Sequence, residues 1–257
     1  MGGMGGMVPA PGQIRAVLFD LDDTLVDARR SWRRGFAQTI AELHAASPAL
    51  RAVGSPEAIY DAHFRRHSEA AHRAAGGGEW QERFTREAFE RLLAEQLTPD
   101  PRLAARLSDA YRAAILEQVE AFPDALETLE AVAARYPLGL ISNGPGQLQR
   151  SKVERFGLER FFAAVVISGE VGVRKPDPAI FGLALEAMAV PAEAAVYVGD
   201  NPHHDVVGAC GAGLAAIWVN RGDWGDWPVE APGEGRAAPP HVEVRELREA
   251  WVHLGVG

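Results

Sequence analysis

The chain has 257 residues, 47% hydrophobic and 24% charged, with a net charge of −9. That balance excludes a low-complexity or disordered chain and argues against nucleic-acid polymers or anionic membranes as partners held by bulk electrostatics. No window approaches the roughly 18 apolar residues of a membrane span, and the single cysteine, Cys210, makes no internal disulfide, so a soluble protein of a reducing, cytoplasmic compartment is expected.

Residues 1–13 open as a Gly/Met/Pro string with neither a basic n-region nor an apolar h-region, and read as a flexible tail. Ile14 to Phe19 (IRAVLF) is a short apolar run rich in β-formers and ends at Asp20. From about Asp27 to Glu120 the patterning changes to helices alone. Trp32, Phe36, Ile40 and Leu43 form one apolar stripe, Trp80, Phe84, Ala88 and Leu92 a second, and Leu103, Leu107, Tyr111 and Ile115 a third. Each lies on an otherwise polar helix, as in a small helical bundle. Gly54-Ser55-Pro56, Gly76-Gly77-Gly78 and Thr98-Pro99-Asp100-Pro101 supply the breaks. This block holds 14 Arg, no Lys and 14 Asp plus Glu, so the whole negative balance falls on the rest of the chain.

After that block, Leu138 to Ile141, Ala163 to Ile167, Ala195 to Val198 and Leu214 to Val219 repeat the first run's type. Runs apolar throughout, rather than alternating, read as strands buried on both faces of a parallel sheet. Helical stretches lie between them, at Ala125 to Arg135, Gly146 to Phe156, Pro178 to Ala189 and about Asp205 to Ala212. Arg221 to Pro240 reads as loop, and His241 to Val244 with Arg245 to Leu254 as an edge strand and closing helix. The expected fold is α/β: a doubly wound parallel-sheet (Rossmann-like) core formed by 14–26 and 121–257, with 27–120 an inserted all-helical domain.

In such a sheet, sites form beyond the carboxyl ends of the strands. There the sequence places Asp20-Leu21-Asp22-Asp23-Thr24-Leu25, then Ser142-Asn143-Gly144, then Arg174-Lys175-Pro176-Asp177, then Gly199-Asp200 and Asp205. Crowded carboxylates raise one another's pKa unless a cation neutralises them, and a hard divalent ion with oxygen ligands does so. A lysine and hydroxyls suit phosphoryl oxygens. A carboxylate nucleophile with a second acid two residues on suits attack on phosphorus and protonation of the leaving oxygen.

The set DLDDTL, LISNG, VRKPDP and VGDNPHHD resembles, in order, the four motifs of the haloacid dehalogenase-like (HAD) superfamily. The helical block between the first two motifs is similar to that family's C1-type cap. The resemblance implies a phosphatase-type hydrolase acting on a small phosphorylated metabolite. Asp20 would be the nucleophile and a Mg²⁺ ligand. Asp22 would be the general acid/base and would lend the metal its backbone carbonyl. Thr24, Ser142 and Asn143 would bind phosphoryl oxygens, Lys175 would neutralise nucleophile and phosphate, and Asp200 would be the metal's second carboxylate. Asp205 would bind the metal directly or one shell out. The family's dehalogenases generally lack an acid two residues after the nucleophile; Asp22 is such an acid, which favours phosphatase. The alternatives are a sugar phosphomutase on the same core and a phosphate-binding module without turnover.

Other polar residues read as structural. Asp23 is expected to point away from its neighbours' side and Asp177 follows a proline at a helix start, His203 and His204 read as loop polarity, and His63, His67 and His72 as a solvated face. Arg29, Arg30, Arg33 and Arg34 suit a second anionic group or a solvated face equally. The Asp27–Arg34 stretch and the Gly76–Trp80 loop are the candidate specificity elements, and Trp224 and Trp227 either cover a substrate or pack. Nothing in the sequence sets the oligomeric state.

Overall fold

The computed structural model describes residues 8–65, 80–222 and 241–256, with the side chains of 80–82 excepted. His67, His72, Gly76–Gly78, Trp224 and Trp227 lie outside the described residues. The chain divides into two compact units: Met1–Val26, Ala121–Asn143 and Val153–Gly257 form one, Asp27–Glu120 and Gly144–Lys152 the other.

The first unit is built on six parallel strands: β1 (Ala16–Phe19), β2 (Leu138–Ser142), β3 (Phe162–Ile167), β4 (Ala195–Gly199), β5 (Ala215–Val219) and β6 (Val242–Val244). Their order in the sheet is β3-β2-β1-β4-β5-β6. Every residue of β1, β2 and β4 is buried, which is why these segments are apolar on both alternating faces. On one face Ala16, Leu18, Ile141, Val166 and Ala195 pack with Ile180, Phe181, Ala184 and Leu185 of the helix Pro178–Met188. Burying each of the larger side chains contributes about 1.5–3 kcal/mol. Because β1 has β2 on one side and β4 on the other, the winding reverses direction there. Doubly wound folds place their sites at such a switch point, here beyond the carboxyl ends of β1 and β4.

Helix ends follow their caps. Pro178–Met188 starts where Asp177 accepts a hydrogen bond from the Ala179 N–H (2.9 Å), and stops where Ala189 turns left-handed at φ 52°. The helix expected from Asp205 instead begins earlier, as a wide π turn over Pro202–Val207, because Asn201 Oδ1 accepts from the His203 and His204 N–H groups. At the carboxyl end the regular helix is only Ala250–Leu254. Upstream, the Arg245 and Leu247 N–H groups donate to the carboxylates of Glu249 and Asp124, so that stretch is held by side chains.

The main segment of the second unit, Asp27–Glu120, is inserted between β1 and β2 and contains no strand among the described residues. Its helices are Ala28–Ala46, Pro48–Val53, Pro56–Ile59 running into a π turn at Tyr60–Phe64, Trp80–Gln96 and Pro101–Gln118. Asp27, Ser47, Ser55 and Asp100 cap four of them at their N-termini. Phe36 lies at the centre, its ring within 4.7–6.3 Å of Phe64, Tyr60, Phe89 and Tyr111. Gly35 lets two helices touch: a Cβ there would meet the Ile115 nitrogen at 3.0 Å. No described helix is long and apolar enough to cross a membrane.

Candidate active site

Asp20 directly follows β1, and its N–H donates to the Val198 carbonyl at 2.9 Å, extending the pairing with β4 by one residue. The chain then turns sharply. The Leu25 and Val26 N–H groups return to the Leu21 carbonyl, and Asp23 N–H donates to Val26 O, with Asp23 itself at φ 62°. Aspartate tolerates that left-handed conformation, which supports the structural reading of Asp23. The turn brings Thr24 Oγ1 back to donate to Asp20 Oδ2 at 3.4 Å. Asp22 lies in the same turn, half-buried, two residues from Asp20. Arg221 braces the turn: its Nη2 donates to the Thr24 carbonyl at 3.2 Å while the guanidinium pairs with buried Asp124 and lies 3.8 Å from the Phe122 ring centre.

Lys175 approaches from the segment after β3. Asn143, just past β2, holds its main chain at two points, accepting from Lys175 N–H (2.9 Å) and donating to Lys175 O (3.0 Å). The buried Lys175 ammonium donates to Asp20 Oδ1 (2.5 Å), Asp205 Oδ1 (2.7 Å) and the Tyr197 hydroxyl (2.8 Å). Asp205 reaches the cluster by folding back: its Oδ2 accepts from Asn201 N–H at 2.8 Å, and the carboxylate fills the space where Gly199 has no side chain. Ser142, fully buried, ends β2.

Asp20, Asp200 and Asp205 are all buried and offer oxygens within 4.8 Å of one another. The group sets three carboxyl groups against one ammonium. An all-oxygen donor set with that excess fits a hard divalent cation. Burial raises the Asp20 carboxyl to about 7, Lys175 pulling it down and Asp205 and Asp22 pushing it up. For Lys175 burial acts to lower the ammonium, but Asp20 and Asp205 outweigh it and hold it up at about 12. Burial, then Asp205 and Asp20, push the Tyr197 phenol well above its ordinary value.

The fold therefore draws Asp20, Thr24, Lys175, Asp200 and Asp205 to one end of the sheet, with Asp22, Ser142 and Asn143 at the same strand ends. Sequence reasoning missed Tyr197 and the Arg221–Asp124 pair, and gave Gly199 only as the neighbour of Asp200. A lone tyrosine in an aliphatic buried strand was the available signal for the first, since a buried phenol needs a partner.

Residues 14–213 match the sequence profile of the haloacid dehalogenase-like hydrolase family. The chain belongs to that family. As a HAD-like hydrolase it is similar to the phosphoserine phosphatase of Thermus thermophilus, 33% identical over 93% of this chain and 98% of the relative. It is also similar to the glyceraldehyde 3-phosphate phosphatase of Methanopyrus kandleri, 32% identical over 83% and 87% of the two chains. Among solved structures, the Bacillus subtilis HAD-hydrolase YfnB bound to magnesium shares the fold, with a TM-score of 0.73, 22% identity and coverage of 94% and 99%. The 2-haloacid dehalogenase of Pseudomonas syringae pv. Tomato has a TM-score of 0.66 at 29% identity, covering 94% and 98%. The helical insertion of this HAD-like hydrolase occupies the C1-type position.

Proposed function

We propose that this HAD-like hydrolase is a Mg²⁺-dependent phosphatase that cleaves a small phosphate monoester through an aspartyl-phosphate on Asp20. The observation that carries the reading is the buried cluster in which Lys175 bridges Asp20 and Asp205 beside Asp200. Its clustered carboxylate oxygens suit a dication, and Asp20, Asp200, the Asp22 carbonyl and Asp205 are the groups that would hold one. Both Asp205 oxygens already accept hydrogen bonds from Lys175 and Asn201, which favours a supporting place for it. When bound, Mg²⁺ would offset charge on the phosphoryl oxygens.

The chain's own groups account for the bond changes. Asp20 Oδ1 is held by Lys175, and Oδ2 carries a long hydrogen bond from Thr24. An Asp20 oxygen attacks phosphorus, forming the acyl phosphate as the P–O bond to the alcohol breaks, and Asp22 gives its proton to the departing alkoxide. Asp22, now a carboxylate, takes a proton from water; the hydroxide attacks phosphorus, releasing phosphate and restoring Asp20. Lys175 stays cationic, so it balances Asp20 before attack and the phosphoryl oxygens afterwards. Asp22 also supports phosphatase over dehalogenase, since dehalogenation has no alkoxide to protonate.

The named phosphatase relatives support a small phosphorylated metabolite as substrate. The test is a screen of the purified protein with Mg²⁺ against phosphates of nucleotides, sugars, and amino and other small organic acids. Turnover confined to one class names the substrate. No phosphate release from any member, in protein of intact fold, sinks the proposal.

A further inference from the structure

We infer that Tyr197 is a positioning residue for Lys175, the third anchor that fixes where its ammonium points. An ammonium has three N–H donors and no acceptor. Here the three find Asp20 Oδ1 at 2.5 Å, Asp205 Oδ1 at 2.7 Å and the Tyr197 oxygen at 2.8 Å. The tyrosine is oriented to receive that bond because its own proton goes elsewhere. Its hydroxyl donates to the Ile141 carbonyl at 3.1 Å, which leaves an oxygen lone pair for Lys175. Ile141 lies in β2 one residue before Ser142, so the tyrosine ties the ammonium to the strand that ends at the LISNG motif. The ring itself is immobilised: it is fully buried in β4 and packs edge-on against Phe181, centroids 5.1 Å apart.

Two carboxylates alone would hold the ammonium by charge, and charge is weakly directional. The tyrosine supplies direction. Without it a buried N–H has no partner, and the ammonium is pulled towards whichever aspartate is closer. The consequence for catalysis rests on the phosphatase reading given above, in which Lys175 must serve Asp20 and the phosphoryl oxygens in turn. The placement of the ammonium does not depend on that reading, and it has its own measurement.

The chain has two lysines, Lys152 and Lys175. Labelling lysine Nζ with ¹⁵N therefore gives two ammonium signals, assigned with Lys175→Arg. Tyr197→Phe removes the oxygen and keeps the ring against Phe181. The expected result is at least tenfold faster hydrogen exchange at the Lys175 ammonium, with the Lys152 signal unmoved and the melting temperature within a few degrees of wild type. In turnover, Tyr197→Phe should lower kcat by about 10- to 100-fold, the size of one lost hydrogen bond to a charged group, with little change in KM. A purely structural tyrosine would instead lower the melting temperature and leave the Lys175 signal and kcat of the folded protein alone. Unchanged Lys175 exchange, or wild-type kcat in the variant, overturns the inference. If wild type hydrolyses no phosphoester, the phosphatase reading fails, and the exchange measurement still decides whether Tyr197 positions Lys175.

Discussion

Gly199→Ala is a sharp test of the site's geometry, because one added carbon meets a carboxylate that cannot retreat. A Cβ built on Gly199 falls 2.4 Å from Asp205 Oδ2 and 2.5 Å from its Cγ. Asp205 is held in place by Asn201 N–H at 2.8 Å and the Lys175 ammonium at 2.7 Å. Relieving the clash means moving either β4 or this carboxylate, and forced overpacking typically costs about 1–3 kcal/mol. For a chain of this size each kcal/mol lowers the melting temperature by about 2–4 °C, so a fall of about 2–12 °C is expected. Displacing Asp205 should also weaken cation binding, seen as a several-fold higher Mg²⁺ requirement for turnover. Gly182 provides the control. It lies inside the helix Pro178–Met188 with nothing within 4 Å of an added Cβ, so Gly182→Ala should stabilise by about 0.5–1 kcal/mol. Thermal melting of both variants and Mg²⁺ titration of activity decide the matter. A Gly199→Ala protein that melts with wild type and needs no more Mg²⁺ would refute the packing argument.

Asp20→Asn should abolish turnover with the fold retained, whereas Asp22→Asn should slow an alkyl phosphate by about 10²–10⁴-fold and p-nitrophenyl phosphate by less, since that leaving group needs little protonation. Turnover by Asp20→Asn with Asp22→Asn dead on both substrates would reverse the two roles. Chelation should stop hydrolysis, with Mg²⁺ restoring it and Ca²⁺ restoring it poorly because its looser coordination misaligns attack; full activity in excess chelator would contradict the metal assignment. In the cation-free protein Asp20 holds its proton up to about pH 7, and a cation needs the carboxylate. Mg²⁺ affinity should therefore fall as pH drops through 7, by up to about tenfold per unit, with proton release on binding at pH 6; calorimetry in two buffers of different ionisation enthalpy would reveal a missing proton.

The sheet and the main site residues were legible in the sequence for one physical reason. Strands buried on both faces are apolar without a break, so the polar residue ending each run stands out: Asp20 after β1, Ser142 at the end of β2, Asp200 after β4. What escaped depends on contacts between distant positions. Tyr197 counts as one more apolar letter in β4 until the partners of its hydroxyl, Lys175 and Ile141, are known. The Asp20–Val26 turn looks local, yet its outer support comes from Arg221 and, through Asp124, from the Leu247 N–H. The arginines of Asp27–Arg34 left two readings open. Arg30 and Arg34 face Glu120, and Arg33 pairs with Asp61 at 2.8 Å, which supports the solvated face for these three.

The same contacts explain why the cluster reads as a site and not as a buried ion pair kept for stability. Burying charge is costly, and a structural pair survives when its charges cancel and its hydrogen bonds are complete. Lys175 meets the second condition, with an acceptor for each proton. The group as a whole fails the first, because it sets three carboxyl groups against a single ammonium. The strain shows in Asp20, whose carboxyl stays raised to about 7 even with Lys175 at 2.5 Å. Apolar residues of similar volume would pack this position with less penalty. An unbalanced, rigidly hydrogen-bonded set at the switch point of the sheet is a sensible arrangement when something doubly charged completes it.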